Sequence, residues 1–281
     1  MSFTRTLVLA SLLTLPAAAQ DSKPNRKPWV LWTKPLESNS YGGAAVADVD
    51  GDGKLEVAFG TYFGDSRVLV LNGEDGSELW SHDFGRACLD ASFRFSDVNQ
   101  DGKLDLIVPV SNKCRVYAYD AATGEEIWSY RTGHNDCIDS PPAIVDTDGD
   151  GRLDVVFGSF KKRLHVVAGG DGKRLRTVTG FGGYVQSGPI VMDVNGDGVK
   201  DFIAATFKAD NRLSAIDGKT GEKIWHHQVG KGMGIYHGPS VGDLDGDGEP
   251  ELVLSAYDGK VTCLRLKDGK QIWSVAPGDR Y

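Results

Sequence analysis

The sequence predicts an all-β chain folded as a β-propeller of about five four-stranded blades. Two periodic signals carry that prediction. The acidic stretch "DVDGDGKLE" at Asp48–Glu56 returns as "DVNQDGKLD" from Asp97, "DTDGDGRLD" from Asp146, "DVNGDGVKD" from Asp193 and "DLDGDGEPE" from Asp243. The steps are 49, 49, 47 and 50 residues. In phase with them run Trp80, Trp128, Trp225 and Trp273, with Arg176 in the third slot and Trp32 one period earlier. Two unrelated motifs sharing one period mark a repeat array of blade-sized units. Composition agrees: 36 glycines in 281 residues, roughly twice the usual share, call for many turns and few helices.

Taken in order, residues 1–19 read as an export signal. "MSFTR" supplies a positive charge, "TLVLASLLTLP" a short apolar core, and Ala17–Ala19 the small residues of a cleavage site. That core is shorter than the roughly 20 residues a membrane-spanning helix needs. No later segment is apolar enough to cross a membrane, so the mature protein is expected to be periplasmic or extracellular. Residues 20–281 read as one propeller domain. A leading strand at 29–35 precedes five repeats starting near 44, 93, 142, 189 and 239.

Each repeat opens on an apolar inner strand ("GAAVADV", "PPAIVD", "GPIVMD") that runs into the acidic loop. Three further strands follow, "LEVAFGTY", "RVLVLNG" and "ELWSHDF" in the first unit, separated by Gly and Asp-Gly turns. Arranging such short strands around an axis removes most of their exposed edges. The surplus leading strand leaves two closures open: five blades with a spare strand, or a ring left open for a partner.

The acidic loops read as calcium hairpins. Positions 1, 3, 5 and 9 are Asp48, Asp50, Asp52 and Glu56 in the first copy and Asp97, Asn99, Asp101 and Asp105 in the second. The third carries Asp146, Asp148, Asp150 and Asp154, the fourth Asp193, Asn195, Asp197 and Asp201, and the fifth Asp243, Asp245, Asp247 and Glu251. Alternate residues of a tight loop turn their oxygens inward, and the glycine at position 6 permits the sharp turn. Asp, Asn and Gly also make ordinary turns. Eighteen carboxylates in twenty such positions, however, repel one another unless a cation intervenes. An EF-hand would place Glu at position 12; here stand Phe59, Val108, Phe157, Ala204 and Leu254. The reading is up to five calcium ions; magnesium, which keeps its waters, fits less well.

The loops, with Phe59-Gly60, Phe157-Gly158 and the small segments "GGAA", "SGP" and "HGP", resemble FG-GAP or VCBS repeats. The resemblance implies a calcium-bearing propeller like the head of integrin alpha chains. "AYDAATGEEIW" (Ala118–Trp128) and "AIDGKTGEKIW" (Ala215–Trp225) also resemble the quinoprotein dehydrogenase repeat, which implies that the tryptophans dock neighbouring blades. Together the resemblances cover nearly all of residues 29–281. They specify a fold rather than an activity, because propellers host many.

Charge and cysteines bound the function. A net charge of −8 argues against a nucleic-acid partner. Cys88, Cys114, Cys137 and Cys263 lack the spacing of a zinc or redox motif, and export favours disulfides whose pairing is open.

The face opposite the acidic loops carries the linkers between blades. Aligned on the inner strands, they place Tyr41, Asp90, Asp139, Gln186 and Tyr236 near the axis, with His134 and His237 close by. This reads as a pocket for a sugar, an anionic polymer or a polar protein loop. Arg67, Arg115, Arg163, Arg212 and Lys260 recur at the start of each third strand, and such periodic residues serve the repeat itself. His165, His226 and His227 lie on strands and read as packing or surface residues.

The expected function is that of an exported calcium-binding propeller acting as a protein- or glycan-binding module. The alternatives are a lyase-like carbohydrate-active enzyme, with Asp90 and Asp139 as an acid–base pair, and a quinone-dependent dehydrogenase. For the dehydrogenase the chain is short and lacks an adjacent cysteine pair.

Overall fold

The computed structural model describes residues 30–230 and 232–278. The predicted export signal and Trp29 lie outside the described residues. Trp32–Tyr281 form one compact unit; Val30 and Leu31, both exposed, belong to a separate unit, Met1–Leu31.

The compact unit is five antiparallel four-stranded sheets, each with its strands in sequence order. The first blade is β1 (Ala45–Ala47), β2 (Glu56–Gly60), β3 (Arg67–Asn72) and β4 (Glu78–Asp83). The second is β5 (Arg94–Ser96), β6 (Asp105–Val110), β7 (Arg115–Asp120) and β8 (Glu126–Arg131). The third is β9 (Ala143–Val145), β10 (Asp154–Ser159), β11 (Arg163–Ala168) and β12 (Arg174–Val178). The fourth is β13 (Ile190–Met192), β14 (Asp201–Ala205), β15 (Arg212–Ile216) and β16 (Lys223–Gln228). The fifth is β17 (Ser240–Gly242), β18 (Glu251–Ser255), β19 (Val261–Arg265) and β20 (Gln271–Val275). Among the described residues the only helical turn is a 3-10 turn at Ser111–Lys113. This is the predicted propeller architecture.

Burial explains the strand sequences. The second strands β6, β10 and β14 are buried along their whole length, which is why they read as continuous apolar runs rather than alternating ones. Each is covered on both faces, by one neighbouring blade on each side. Four buried apolar clusters provide that cover. They join the first blade to the second around Val70 and Leu106, and the second to the third around Ala118 and Phe157. They join the third to the fourth around Val166 and Phe202, and the fourth to the fifth around Ala215 and Leu264.

The tryptophans seal those seams. In every blade the ladder between third and fourth strands breaks register just past the residue paired with the slot: Val70–Trp80, Ala118–Trp128, Val166–Arg176, Ala215–Trp225 and Cys263–Trp273. Such a bulge bends the strand and re-aims its side chain. Trp80 donates from Nε1 to the Ala121 carbonyl at 2.8 Å and Trp128 to the Gly169 carbonyl at 2.5 Å. Their rings lie on Gly124 and Gly172, and Trp225 lies on Gly269. Arg176 substitutes by chemistry as well as position: its guanidinium donates to the Gly218 carbonyl and sits over the Phe202 ring.

The arc has two unlike ends. Trp32 docks on the first blade just as the later tryptophans dock on theirs, with Nε1 donating to the Gly73 carbonyl at 2.8 Å and its ring on Gly76. The predicted leading strand is therefore corrected. Its described part, residues 30–35, pairs with no sheet; Trp32–Ser38 run on with half-buried and exposed residues alternating. The segment fills a docking slot without completing the last blade. At the other end Trp273 is 41% exposed and Leu244 57%, whereas Val49, Val98 and Val194 at the position of Leu244 are buried. Among the described residues no buried cluster joins the fifth blade to the first.

The four cysteines, for which disulfides are predicted, are free thiols. Cys263 lies on β19, while the other three lie at the seams of the first three blades.

Candidate functional site

The mouth is built by the linkers that enter the inner strands. Neighbouring linkers approach so closely that side chains do not fit between them. A Cβ on Gly42 would come within 2.7 Å of the Ala91 carbonyl oxygen, and one on Gly238 within 2.8 Å of that of Gly188. That is why the sequence is small there ("GGAA", "SGP", "HGP"). Serines tie the rim: Gly43 N–H donates to Ser92 Oγ at 2.8 Å, and Ser140 Oγ donates to the Ser187 carbonyl at 2.8 Å.

Inside this rim lies a cavity of about 570 Å³. Tyr41, Asp90, Asp139, Gln186, Tyr236 and His237 line it together with Tyr62, Ser92 and Ser187. Five of these hold one register position, seven residues ahead of each acidic loop: Tyr41, Asp90, Asp139, Gln186 and Tyr236. His134 does not reach the mouth. Thr132 Oγ donates to the Asp136 carbonyl at 2.6 Å and Asn135 takes a left-handed φ of 53°, so the linker folds back and its tip, His134, is exposed.

Sequence reasoning missed Tyr62. It follows β2, fourteen residues on from Asp48, and the same position carries Ser111, Phe160, Phe207 and Tyr257. That near-aromatic ring was a readable signal. Tyr62 meets Tyr41 edge-on at 5.2 Å, Phe160 stacks on Tyr184 at 4.9 Å, and Phe207 meets Tyr236 edge-on at 5.2 Å. The first and last of these contacts brace Tyr41, Tyr62 and Tyr236 in the wall of the cavity.

The acidic pair is asymmetric. Asp139 accepts hydrogen bonds from Ser111 Oγ and from Gln186 Nε2, the latter at 2.9 Å. Asp90 has a buried Oδ1 with no partner. Burial, and then the charge of Asp139, push Asp90 up to about 6. Burial, with Cys88 beside it, pushes Tyr62 up to about 12, so its phenol stays protonated. Tyr236 is raised too, by burial and then by Asp139 and Asp90.

Among the described residues no Lys or Arg lines the cavity. The basic series stays on its strands: Arg67 pairs with Asp65, Arg115 with Ser129 at 3.2 Å, and Arg212 with Gln228 at 2.9 Å. Arg163 reaches Asp136 at 3.9 Å. His165 is a buried packing residue, stacked on Phe157 at 5.4 Å and sharing a hydrogen bond with the Tyr130 hydroxyl at 3.1 Å.

The acidic hairpins close on their own amides. Asp48 accepts from Gly51 N–H at 2.8 Å and Gly53 N–H at 2.9 Å, and the third and last loops repeat this with Asp146 and Asp243. The position-9 carboxylates Glu56, Asp105, Asp154, Asp201 and Glu251 are buried. Each accepts the N–H of position 2, as Val49 to Glu56 at 2.9 Å.

Three loops bring the carboxylate oxygens of positions 1, 3 and 9 within 4.8 Å of one another: Asp48, Asp50 and Glu56; Asp146, Asp148 and Asp154; Asp243, Asp245 and Glu251. Asp97 with Asn99 and Asp105, and Asp193 with Asn195 and Asp201, hold the matching positions with an amide at position 3. Position 5 (Asp52, Asp101, Asp150, Asp197 and Asp247) lies outside the three clusters and instead accepts the N–H of position 7, as Lys54 to Asp52 at 2.8 Å. Burial, and then neighbouring loop carboxylates, raise Glu56 and Asp154 and push Asp105 up to about 6. Oxygen donors facing each other with no cationic side chain between them suit a hard divalent ion.

Comparison with known proteins places the chain. A family model described as outer membrane protein assembly factor BamB matches residues 113–279, more than half of the sequence. The chain belongs to this family. A second model, for the FG-GAP-like repeat, matches residues 48–108. No curated protein matches the sequence.

Among solved structures, BamB from Moraxella catarrhalis aligns with a TM-score of 0.61 at 19% identity, over 87% of this chain and 64% of that one. The Vibrio (V.) cholerae biofilm matrix protein Bap1 gives 0.65 at 20% identity, over 88% and 42%. The quinohemoprotein alcohol dehydrogenase ADHIIG from Pseudomonas putida HK5 gives 0.65 at 16%, over 89% and 44%. The chain thus spans less than two thirds of each. These likenesses show a shared propeller fold.

Proposed function

We propose that the protein is an exported, calcium-stabilised propeller that grips a polar ligand, a glycan or a polar loop of a partner protein, in its axial mouth. The cavity carries the reading: about 570 Å³ enclosed by linkers of all five blades. Tyrosine walls offer stacking faces with polar tips, and Asp139, Gln186 and His237 offer directional hydrogen bonds. The lining among the described residues, tyrosines with Asp, Gln, Ser and His, suits neutral sugars and amide-rich loops. Membership of a family named for an assembly factor supports a protein partner. The N-terminal pattern of charge, apolar core and small residues supports export.

Calcium fits the hairpins on the donor set described above, up to one ion per loop. The position-1 and position-3 oxygens and the buried position-9 carboxylate would hold it. Its charge would offset the burial and, after it, the repulsion that raise the buried carboxylates, coupling metal binding to folding.

One observation favours a second reading. A carboxyl pushed up to about 6 beside a second carboxylate suits a proton donor next to a base, so Asp90 and Asp139 would serve a carbohydrate-active enzyme.

Glycan and peptide arrays probed with the wild type and with the double variant Asp139→Ala, His237→Ala separate these readings. Binding lost in the variant, with calcium stabilisation retained, supports the module. Binding that survives moves the site off the axis. Polysaccharide cleavage by the wild type, lost in Asp90→Asn, assigns the enzyme.

A further inference from the structure

Three thiols gather where the first three blades meet at the mouth. Cys88 and Cys137 hold the same place in successive linkers, nine residues ahead of their acidic loops, and Cys114 ends the 3-10 turn before β7. Two independent links tie the segment 111–114 to the linker that enters the third blade. Thr132 donates its N–H to the Cys114 carbonyl at 3.0 Å. Its hydroxyl donates to the carbonyl of Asp136, the residue bonded to Cys137, at 2.6 Å. Further along, Ser111 Oγ donates to Asp139. Cys114 and Cys137 are thus held between two bridges joining one pair of segments.

The side chains follow the backbone. Burial, and then the thiols and carboxylates around it with Cys114 first among them, push the Cys137 thiol up to about 11. Cys137 is within range of Cys88 too, but the Cys88 thiol lies beside the Tyr62 hydroxyl, and its carbonyl and N–H are taken by Ser111 N–H at 2.9 Å and Asn112 Oδ1 at 3.0 Å. Cys263 sits in the fifth blade, on β19.

We propose that Cys114 and Cys137 are a disulfide pair that staples the mouth linker of the third blade to the second blade when the protein meets a disulfide oxidant. The exchange balances with a small disulfide such as oxidised glutathione. One cysteine thiolate attacks it, forming a mixed disulfide and releasing one glutathione thiolate. The second cysteine thiolate then attacks the protein sulfur of that mixed disulfide and displaces the other glutathione. The two protein thiols lose two electrons and two protons; one glutathione disulfide becomes two thiols. A high thiol pKa keeps thiolate scarce at neutral pH, so the closure speeds up as pH rises. The staple constrains Asp139, which the same linker carries, and removes conformational freedom from the unfolded chain. The pairing stands apart from the identity of any ligand at the mouth.

The test is a thiol map of the full chain, purified reduced, oxidised natively with oxidised glutathione, alkylated and digested. The expected result is a linked peptide joining Cys114 to Cys137, with Cys88 and Cys263 alkylated. The melting midpoint should rise on oxidation by about 5–10 °C, in the wild type and in Cys88→Ser but not in Cys114→Ser or Cys137→Ser. A link through Cys88 or Cys263 overturns the pairing. So does complete alkylation of all four thiols after native oxidation, and the wild-type map reads both outcomes even where a serine variant fails to fold.

Discussion

The indole of Trp32 rests on Gly76, where an added Cβ would come within 2.7 Å of the ring, as Trp80 rests on Gly124 and Trp128 on Gly172. Each of these glycines has positive φ, so the slot demands glycine twice, for backbone and for space. A residue ahead of the first blade therefore fills the slot on that blade with the interaction that Trp80 and Trp128 make on the next two. Trp273 follows the same register break in its blade and is 41% exposed, with no described residue burying it.

That contrast yields a stability prediction. Trp128 is 6% exposed and sealed between two blades. Trp128→Ala should lower unfolding stability by about 3–5 kcal/mol. Trp273→Ala should change it by less than about 1 kcal/mol. Urea unfolding of the two variants beside the wild type checks this; equal losses would mean that the fifth blade's outer face is covered in solution.

Calcium should raise the unfolding midpoint, and a chelator should reverse the rise. Asp148→Ala should remove one ion and weaken one hairpin, because each blade contacts only its neighbours. Metal-to-protein stoichiometry by calorimetry, with melts in calcium and in chelator, reads both effects. Identical midpoints in the two conditions would sink the calcium assignment.

Much of this was legible because the chain repeats. Residues at one register position land on one circle of the fold, so aligning five linkers placed Tyr41, Asp90, Asp139, Gln186 and Tyr236 together without any distance. His134 failed because the alignment stops where a linker folds on itself, and the bond from Thr132 to Asp136 that does this leaves no mark in composition. Tyr62 was missed for a different reason: its register position carries Ser111 in the second blade, which interrupts the aromatic series. The exposure of Trp273 was not readable, because its slot keeps the Gly269 and Trp273 of the repeat, whose partial match at Cys263, Arg265 and Asp268 resembles that of the unit ending at the half-buried Trp80.

Acid should unfold the protein partly through Asp136. Burial acts to raise this carboxyl, but the His165 ring, 3.5 Å away, and the Lys161 N–H outweigh it and hold it below the usual carboxylate range. A depressed folded pKa contributes stability in full above the unfolded value of about 4, and the contribution fades as pH falls below that value. Asp136→Asn should accordingly be less stable than the wild type at neutral pH and lose less on acidification below about pH 4. Parallel acid dependences in denaturant titrations would show that Asp136 is not the group responsible.

Asp90 has the opposite sign. Its folded pKa, pushed up to about 6 by burial and then by Asp139, lies above the unfolded value. The ionised form is therefore disfavoured in the folded protein, a cost present in full above about pH 6 and relieved as pH falls toward 4. Asn has nearly the same shape and does not ionise. Asp90→Asn should stabilise the protein at pH 7.5 by about 1–2 kcal/mol, allowing for the solvent that still reaches the site, and the gain should vanish near pH 4. A cost retained at a cavity wall is the pattern of a residue kept for binding or proton transfer. The same variant should then bind a mouth ligand more weakly while melting higher. Chemical unfolding at both pH values, with binding measured alongside, checks the pairing of the two effects; an Asp90→Asn protein no more stable than the wild type at pH 7.5 would show that the carboxyl is solvated and unstrained, and would remove Asp90 from the site.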